Sequence, residues 1–417
     1  MRALLRLALA GAGLAAILIP LHLLRFGLPA PDPRLLWMIS QRPLYHQETR
    51  NGKTWEIPNS KVILVDAAHQ KKFPAAKPPG TYRIFCIGQS TTEGYPFYPR
   101  AGYPEWLGLI LKDTLPGRRV EVINSGVSGS DSSRDLALVK EVLNYHPDLL
   151  VLYEGNNEQL YSRLRLLQNH LGKNFGEFLF WLRDYFPIVR LAAQYMPIAR
   201  VDPEATMPLY EQNVRKMVSL AERRSVHVVL VSQVNAPILY NPASPPPYNK
   251  FLRSILSPGV LFVDAGRFFS ASGECRPDIP RCLIDYVHPS LRGQWLMAMA
   301  VAHGLSHRGW IAPVSQWRWR RVRTESAYSK TLGLTGHFLA KAFVREAEGL
   351  GEDSGKLGDL SYYVSTGEHF EQGVFLRALA DEPIQLRSSD LEKAVLSYYD
   401  RTYPGKKAEF KKLLTPF

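Results

Sequence analysis

Cysteine is scarce, with three residues in 417, too few for a disulfide scaffold. No C-x-x-C pair recurs, no Walker loop occurs and no long Lys/Arg tail is present. Zinc ribbons, nucleotide kinases and simple basic arms are therefore poor readings. Thirty glycines and 31 prolines amount to about 15% of the chain, ordinary globular usage and far from collagen-like or disordered composition. Acidic residues are outnumbered, 38 against 51 Lys and Arg, for a formal charge of +13. That balance permits nucleic acid or an anionic membrane surface as a partner and selects neither. What is abundant is apolar sequence, 46% of residues, and the length corresponds to two or three domains.

The first 30 residues bear on the compartment. Arg2 and Arg6 precede an apolar run from Leu7 to Leu24, broken only by Pro20 and His22 and closed by Arg25. As a helix this run spans about 27 Å, just enough for a bilayer core. Signal-peptide h-regions are usually shorter, and only Leu28-Pro29-Ala30 offers a weak cleavage site. An uncleaved inner-membrane anchor is the favoured reading over a cleaved signal or a buried helix. Positive residues before the run place that end in the cytoplasm and the rest of the chain in the periplasm. Residues 31–59 read as a linker.

From Lys61 onward the pattern is that of an α/β domain. Short apolar, β-branched runs at Tyr82–Ile87, Val120–Ile123, Leu149–Tyr153, His227–Ser232 and Val260–Val263 are each followed by a turn signal and, in most cases, by helical periodicity. Strands buried on both faces read this way, which predicts a parallel sheet with helices on each side. Catalytic residues in such sheets sit beyond the carboxyl ends of the strands.

The unusual residues stand at those ends. The first strand leads into Gly88-Gln89-Ser90-Thr91-Thr92-Glu93-Gly94, where Ser90 either projects a reactive hydroxyl or caps a helix. The second leads into Asn124-Ser125-Gly126-Val127-Ser128-Gly129, a loop that brings backbone N–H groups close to a ligand or simply turns. The third leads into Gly155-Asn156-Asn157-Glu158, whose amides could face an oxyanion or brace a turn. Asp285-Tyr286-Val287-His288-Pro289 stands much later, with an aspartate placed to hold the ring of His288 in one tautomer.

Taken in order, these four motifs resemble the SGNH hydrolases, the GDSL-type esterase superfamily, over roughly residues 60 to 310. The stretch from Lys77 to Glu158, with KPPGTYRIFCIGQSTTEGYP and LYEGNNE, looks like bacterial membrane-associated members that carry helical regions downstream. The resemblance implies a flavodoxin-like three-layer α/β/α sandwich with a parallel sheet. It implies Ser90 as nucleophile, His288 as base and Asp285 as the group orienting it. The oxyanion would be met by the backbone N–H groups of Ser90 and Gly129 and the side-chain amide of Asn157, with no cofactor or metal required. Two positions depart from the family pattern, Gln89 and Glu158, where aspartate is usual.

The implied activity is cleavage of a carboxylic ester on a glycan or lipid through an acyl-Ser90 intermediate. The alternatives are an O-acyltransferase, working with a membrane-bound acyl donor protein on a cell-surface polymer, and a non-catalytic scaffold. No nucleic-acid partner is expected. An aromatic-rich helical insertion at 159–200 reads as core, cleft wall or membrane-facing lid. Trp317-Arg318-Trp319-Arg320-Arg321-Val322-Arg323 suits either a lipid headgroup layer or an edge strand. From 311 to 417 a basic-aromatic segment gives way to a small helical region, in which Leu332–Glu348 shows helical periodicity and no 34-residue repeat. In an exported chain Cys275 and Cys282, around a Pro-containing loop, are candidates for a disulfide, and Cys86 for a buried free thiol; otherwise three free thiols are expected.

Overall fold

The computed structural model describes residues 43–59, 72–158, 203–234, 247–273 and 287–334, with 275–276, 279–280, 282–284 and isolated positions beyond 334. The apolar run at 7–24, the insertion at 159–200, Asp285 and most of the C-terminal region lie outside the described residues.

Five strands form the central sheet: β4 (Thr81–Gly88), β5 (Arg119–Gly126), β6 (Leu149–Tyr153), β7 (His227–Val231) and β8 (Val260–Val263). They are all parallel, in the order β5-β4-β6-β7-β8. These are the five apolar runs expected from the sequence, each within three residues. Alternate side chains along β4 enter opposite cores, Ile84 and Cys86 on one face and Phe85 and Ile87 on the other. Burial on both faces explains why the strands read as continuous apolar runs.

Helix α1 (Ser90–Glu93) follows β4, and α2 (Tyr103–Thr114) returns to β5. After β5, α3 (Ser132–Val142) starts at Asp131, whose carboxylate accepts from the Arg134 N–H at 3.0 Å as a helix cap. Then come α4 (Pro203–Glu222), α5 (Pro247–Ser254), α6 (Ala265–Ala271), α7 (Leu291–Arg308) and α8 (Glu325–Leu332). One layer holds α2, α6 and α7; the other holds α3, α4 and α5. The result is the expected three-layer α/β/α sandwich.

Two local features differ from the sequence reading. Part of the segment read as linker forms a small antiparallel sheet of β1 (Tyr45–Arg50), β2 (Lys53–Pro58) and β3 (Phe73–Pro74), too short and polar to announce itself. The Trp-Arg segment is neither a strand nor an outward display of rings, because it forms 3-10 turns at Val314–Gln316 and Trp319–Arg321. Trp317 is buried, and Trp319 stacks on His303 with ring centroids 4.0 Å apart. The rings anchor the segment to α7, and Arg318, Arg320 and Arg321 are left exposed. Near the C-terminal region, α8 ends at Gly333 in the left-handed conformation, at the start of the expected Leu332–Glu348 helix.

Candidate active site

Parallel register brings the ends of the three central strands level, with Gly88 beside both Gly126 and Tyr153. The loops that follow are neighbours. Ser90 opens α1 but does not cap it, since Gln89 occupies the cap position and makes no capping side-chain bond. The Ser90 hydroxyl is free for another partner, and its Oγ lies 2.8 Å from Nε2 of His288. These residues are 198 positions apart in the chain. Tyr95 packs its ring 4.8 Å from the imidazole.

The segment around His288 is closed on itself. Ile284 N–H donates to the His288 carbonyl and Ser290 N–H to the Cys282 carbonyl, both at 2.9 Å. Cys282 is joined to Cys275 by a disulfide, and Cys86 is a buried free thiol in β4.

The oxyanion-hole candidates sit in two loops. Gly129 has φ +82° in the turn from Val127 to Ser130, a conformation glycine adopts without strain. Asn157 donates from Nδ2 to the Ser130 carbonyl at 3.0 Å, which joins the third motif to the second and leaves the other amide hydrogen of Asn157 outside that bond.

Further bonds tie the loops together. Glu93, at the end of α1, accepts from both the N–H and the hydroxyl of Ser128. Gln89 accepts from the Asn156 N–H at 3.0 Å, and Asn156 in turn accepts from Gln233 Nε2 at 3.1 Å. Glu158 accepts from the Ser132 N–H at 2.9 Å and contacts its hydroxyl at 2.7 Å. The two departures from the family pattern, Gln89 and Glu158, both brace loops here.

Beneath these loops lies a buried acidic group. Burial above all, then the neighbouring Asp131 charge, pushes Glu158 up to about 8. Asp135 is pushed up to about 7 by burial, against hydrogen bonds from Glu154 and Ser130 that lower it. Glu154 is raised well above its ordinary range by burial and by the Asp135 charge. Neither Glu154 oxygen meets an N–H or O–H donor among the described residues, and a buried carboxylate so placed beside the Asp135 charge favours its protonated form.

Sequence reasoning did not find Glu93, Asp135, Glu154 or Gln294. Gln294 accepts from the Tyr103 N–H at 2.8 Å and donates to the Thr91 carbonyl at 3.2 Å, pinning α1 to α7. The one signal available was Glu154, a charge at the end of an otherwise apolar strand. Among the described residues no group of three or more His, Cys, Asp or Glu side chains is arranged to hold a metal ion.

The family model of the GDSL-like Lipase/Acylhydrolase family matches residues 86–296, half of the chain and every loop just described. The chain belongs to this family. It is a GDSL-type serine ester hydrolase. Similar solved structures include a catalytic mutant of Axe2, an acetylxylan esterase from Geobacillus stearothermophilus, at 19% identity over 58% of this chain and 97% of that one, with a TM-score of 0.39. LAE5, an alpha/beta hydrolase enzyme from the metagenome of Lake Arreo, Spain, shows 20% identity over 56% and 97% of the two chains at a TM-score of 0.39. TesA shows 17% identity over 54% and 99%, at a TM-score of 0.35. No curated protein matches the GDSL chain.

Proposed function

We propose that this GDSL hydrolase cleaves a carboxylic ester of a glycan or lipid outside the inner membrane, through an acyl-Ser90 intermediate, while the apolar run at 7–24 anchors the chain. The contact between Ser90 Oγ and His288 Nε2 at 2.8 Å carries the reading. A serine hydroxyl is a weak nucleophile at neutral pH, and an imidazole nitrogen at hydrogen-bond distance can take its proton as the oxygen attacks the ester carbonyl. The negative oxygen that develops is met by the N–H groups of Ser90 and Gly129 and the Asn157 amide, held in place before reaction by the bonds between loops. His288 then gives its proton to the leaving alcohol. Water, deprotonated by His288, attacks the acyl-serine and releases the acid. Asp285 is assigned to the orientation of the imidazole.

The experiment is labelling of the full chain by a fluorophosphonate probe, with hydrolysis of an aryl acetate followed in parallel. Ser90→Ala should abolish both, and labelling equal to the parent would reject the nucleophile. If acyl-enzyme accumulates in a burst and is released mainly on adding a glycan acceptor, to which the acyl group is transferred, the hydrolase reading yields to a transferase.

A further inference from the structure

We propose that the pole of the sheet where the strands begin is an electrostatic docking face for anionic phospholipid headgroups, so that the chain stands on the membrane with Ser90 pointing away from it. The orientation rests on the reading of residues 7–24 as an anchor.

The two poles are fixed by the helices. Helix α2 starts beside the active site, where Tyr103 N–H is held by Gln294, which also holds Thr91, the residue after Ser90. Eleven residues later, about 17 Å along the axis, it ends at Thr114, whose carbonyl accepts from the Arg318 N–H at 2.9 Å. The 318–321 segment is thus at the far pole from Ser90. With the tryptophan rings turned inward, Arg318, Arg320 and Arg321 face solvent there, beside Lys112 in the last turn of α2 and Arg118 just before β5.

None of these five cations has an ion-pair partner among the described residues. Three acids at this pole are paired with cations, Asp113 with Arg323 at 2.7 Å, Asp148 with Lys77 at 2.5 Å and Glu121 with Arg83 at 2.7 Å, and Glu222, which takes the Ser257 hydroxyl, is outweighed by the exposed Arg223 and Arg224 beside it. The pole therefore presents net positive charge, whereas the carboxyl groups of Glu93, Asp135, Glu154 and Glu158 beneath the active-site loops are buried.

The chain also enters the fold at this pole. Leu44 and Tyr45 donate their N–H groups to Glu141 at 2.8 Å each, in the last turn of α3, which runs from the Gly129 loop towards the strand starts. An apolar run ending at Leu24 leaves about 18 residues before that point, a tether reaching up to about 60 Å. Such a tether leaves orientation open, and the charge of the pole supplies it. An anionic lipid surface is favoured over a soluble polyanion because tether and cations share one pole. Each arginine near an anionic surface corresponds to about a fivefold gain in local binding, and the three of the 318–321 segment to on the order of a hundredfold.

The test uses the full chain in nanodiscs of phosphatidylcholine carrying headgroup nitroxide quenchers, with and without phosphatidylglycerol. One fluorophore is placed at exposed Ser315 through Ser315→Cys, another on Ser90 through a fluorophosphonate. Phosphatidylglycerol should deepen quenching at 315 and leave the Ser90 dye bright. High salt should reverse the effect in the parent chain, and the triple variant Arg318→Glu, Arg320→Glu, Arg321→Glu, checked for an unchanged unfolding temperature, should lose it. Capture by pure phosphatidylcholine discs reports the anchor separately. Capture only by discs containing phosphatidylglycerol, with quenching at 315, would refute the anchor and support the docking face. Quenching indifferent to lipid charge, a Ser90 dye quenched as strongly as the one at 315, capture by neither disc, or affinity for a soluble acidic polysaccharide without any lipid effect would each overturn the proposal.

Discussion

The carboxyl group of Glu158 engages both the backbone N–H and the hydroxyl of Ser132, at 2.9 and 2.7 Å, and so ties the loop bearing Asn157 to the start of the helix that follows Gly129. Asn213 donates to the same hydroxyl at 3.0 Å. One carboxyl oxygen of Glu158 accepts from the Ser132 N–H and the other from the Ser132 hydroxyl.

The site therefore carries an inverted pH dependence. Glu158, Asp135 and Glu154 all have folded-state pKa values above their unfolded ones, so the folded protein holds protons that the unfolded chain gives up above about pH 4.5. Their contribution to stability is complete below that pH and is lost as pH rises through about 7 to 8. The unfolding temperature should fall between pH 5 and pH 8. Glu158→Gln keeps both contacts without a titrating group and should flatten the slope, with stability at pH 8 equal to or above the parent's. An unfolding temperature that climbs across this range in the parent would contradict the assignment.

His288→Ala should lower turnover of an aryl acetate nearly as far as Ser90→Ala, each by about 10⁴-fold or more, because members of such a set act as a unit. Neither change removes core packing, so the denaturation midpoint should move little. Additive losses in the double variant would argue that the two side chains act separately.

Gln89→Ala removes the acceptor for the Asn156 N–H in a part-buried loop. Leaving such a donor unpaired costs about 1 to 3 kcal/mol. Because Asn156 adjoins Asn157, kcat should fall while KM changes less. A change confined to KM would place Gln89 in substrate binding instead.

A Cβ on Gly126 would meet the Glu93 backbone nitrogen at 2.1 Å. Backbone cannot yield as a side-chain tip can, so Gly126→Ala should destabilise the fold by about 3 kcal/mol and separate α1 from the Gly129 loop. A denaturation midpoint unchanged in this variant would show that β5 and α1 do not pack this closely.

Cys275 and Cys282 close a loop of sequence separation 7, for which chain entropy gives a stabilisation of about 2.5 kcal/mol. Cys275→Ser with Cys282→Ser should cost roughly that in urea unfolding. Since Cys282 is bonded through its carbonyl to Ser290, two residues after His288, turnover should fall at denaturant concentrations where the rest of the domain is still folded. Turnover that tracks global unfolding would remove the loop from catalysis.

Periodicity by itself determined the five strands and their parallel arrangement, because burial on both faces leaves an unbroken apolar run in each. Motif order singled out Ser90, Gly129, Asn157 and His288, since chemistry at strand ends demands particular residue types in short stretches. Tertiary structure alone decided that Ser90 and His288 touch across 198 residues, that the Trp317 and Trp319 rings turn inward, and that Glu93, Gln89 and Glu158 brace the loops. Those roles depend on which side chains meet after the sheet has assembled, and a carboxylate bound to a neighbouring loop leaves no periodicity in the chain. The buried acids escaped for a related reason: their proton affinity is set by the water that folding removes and by the charges it brings near, and neither quantity is written in local sequence.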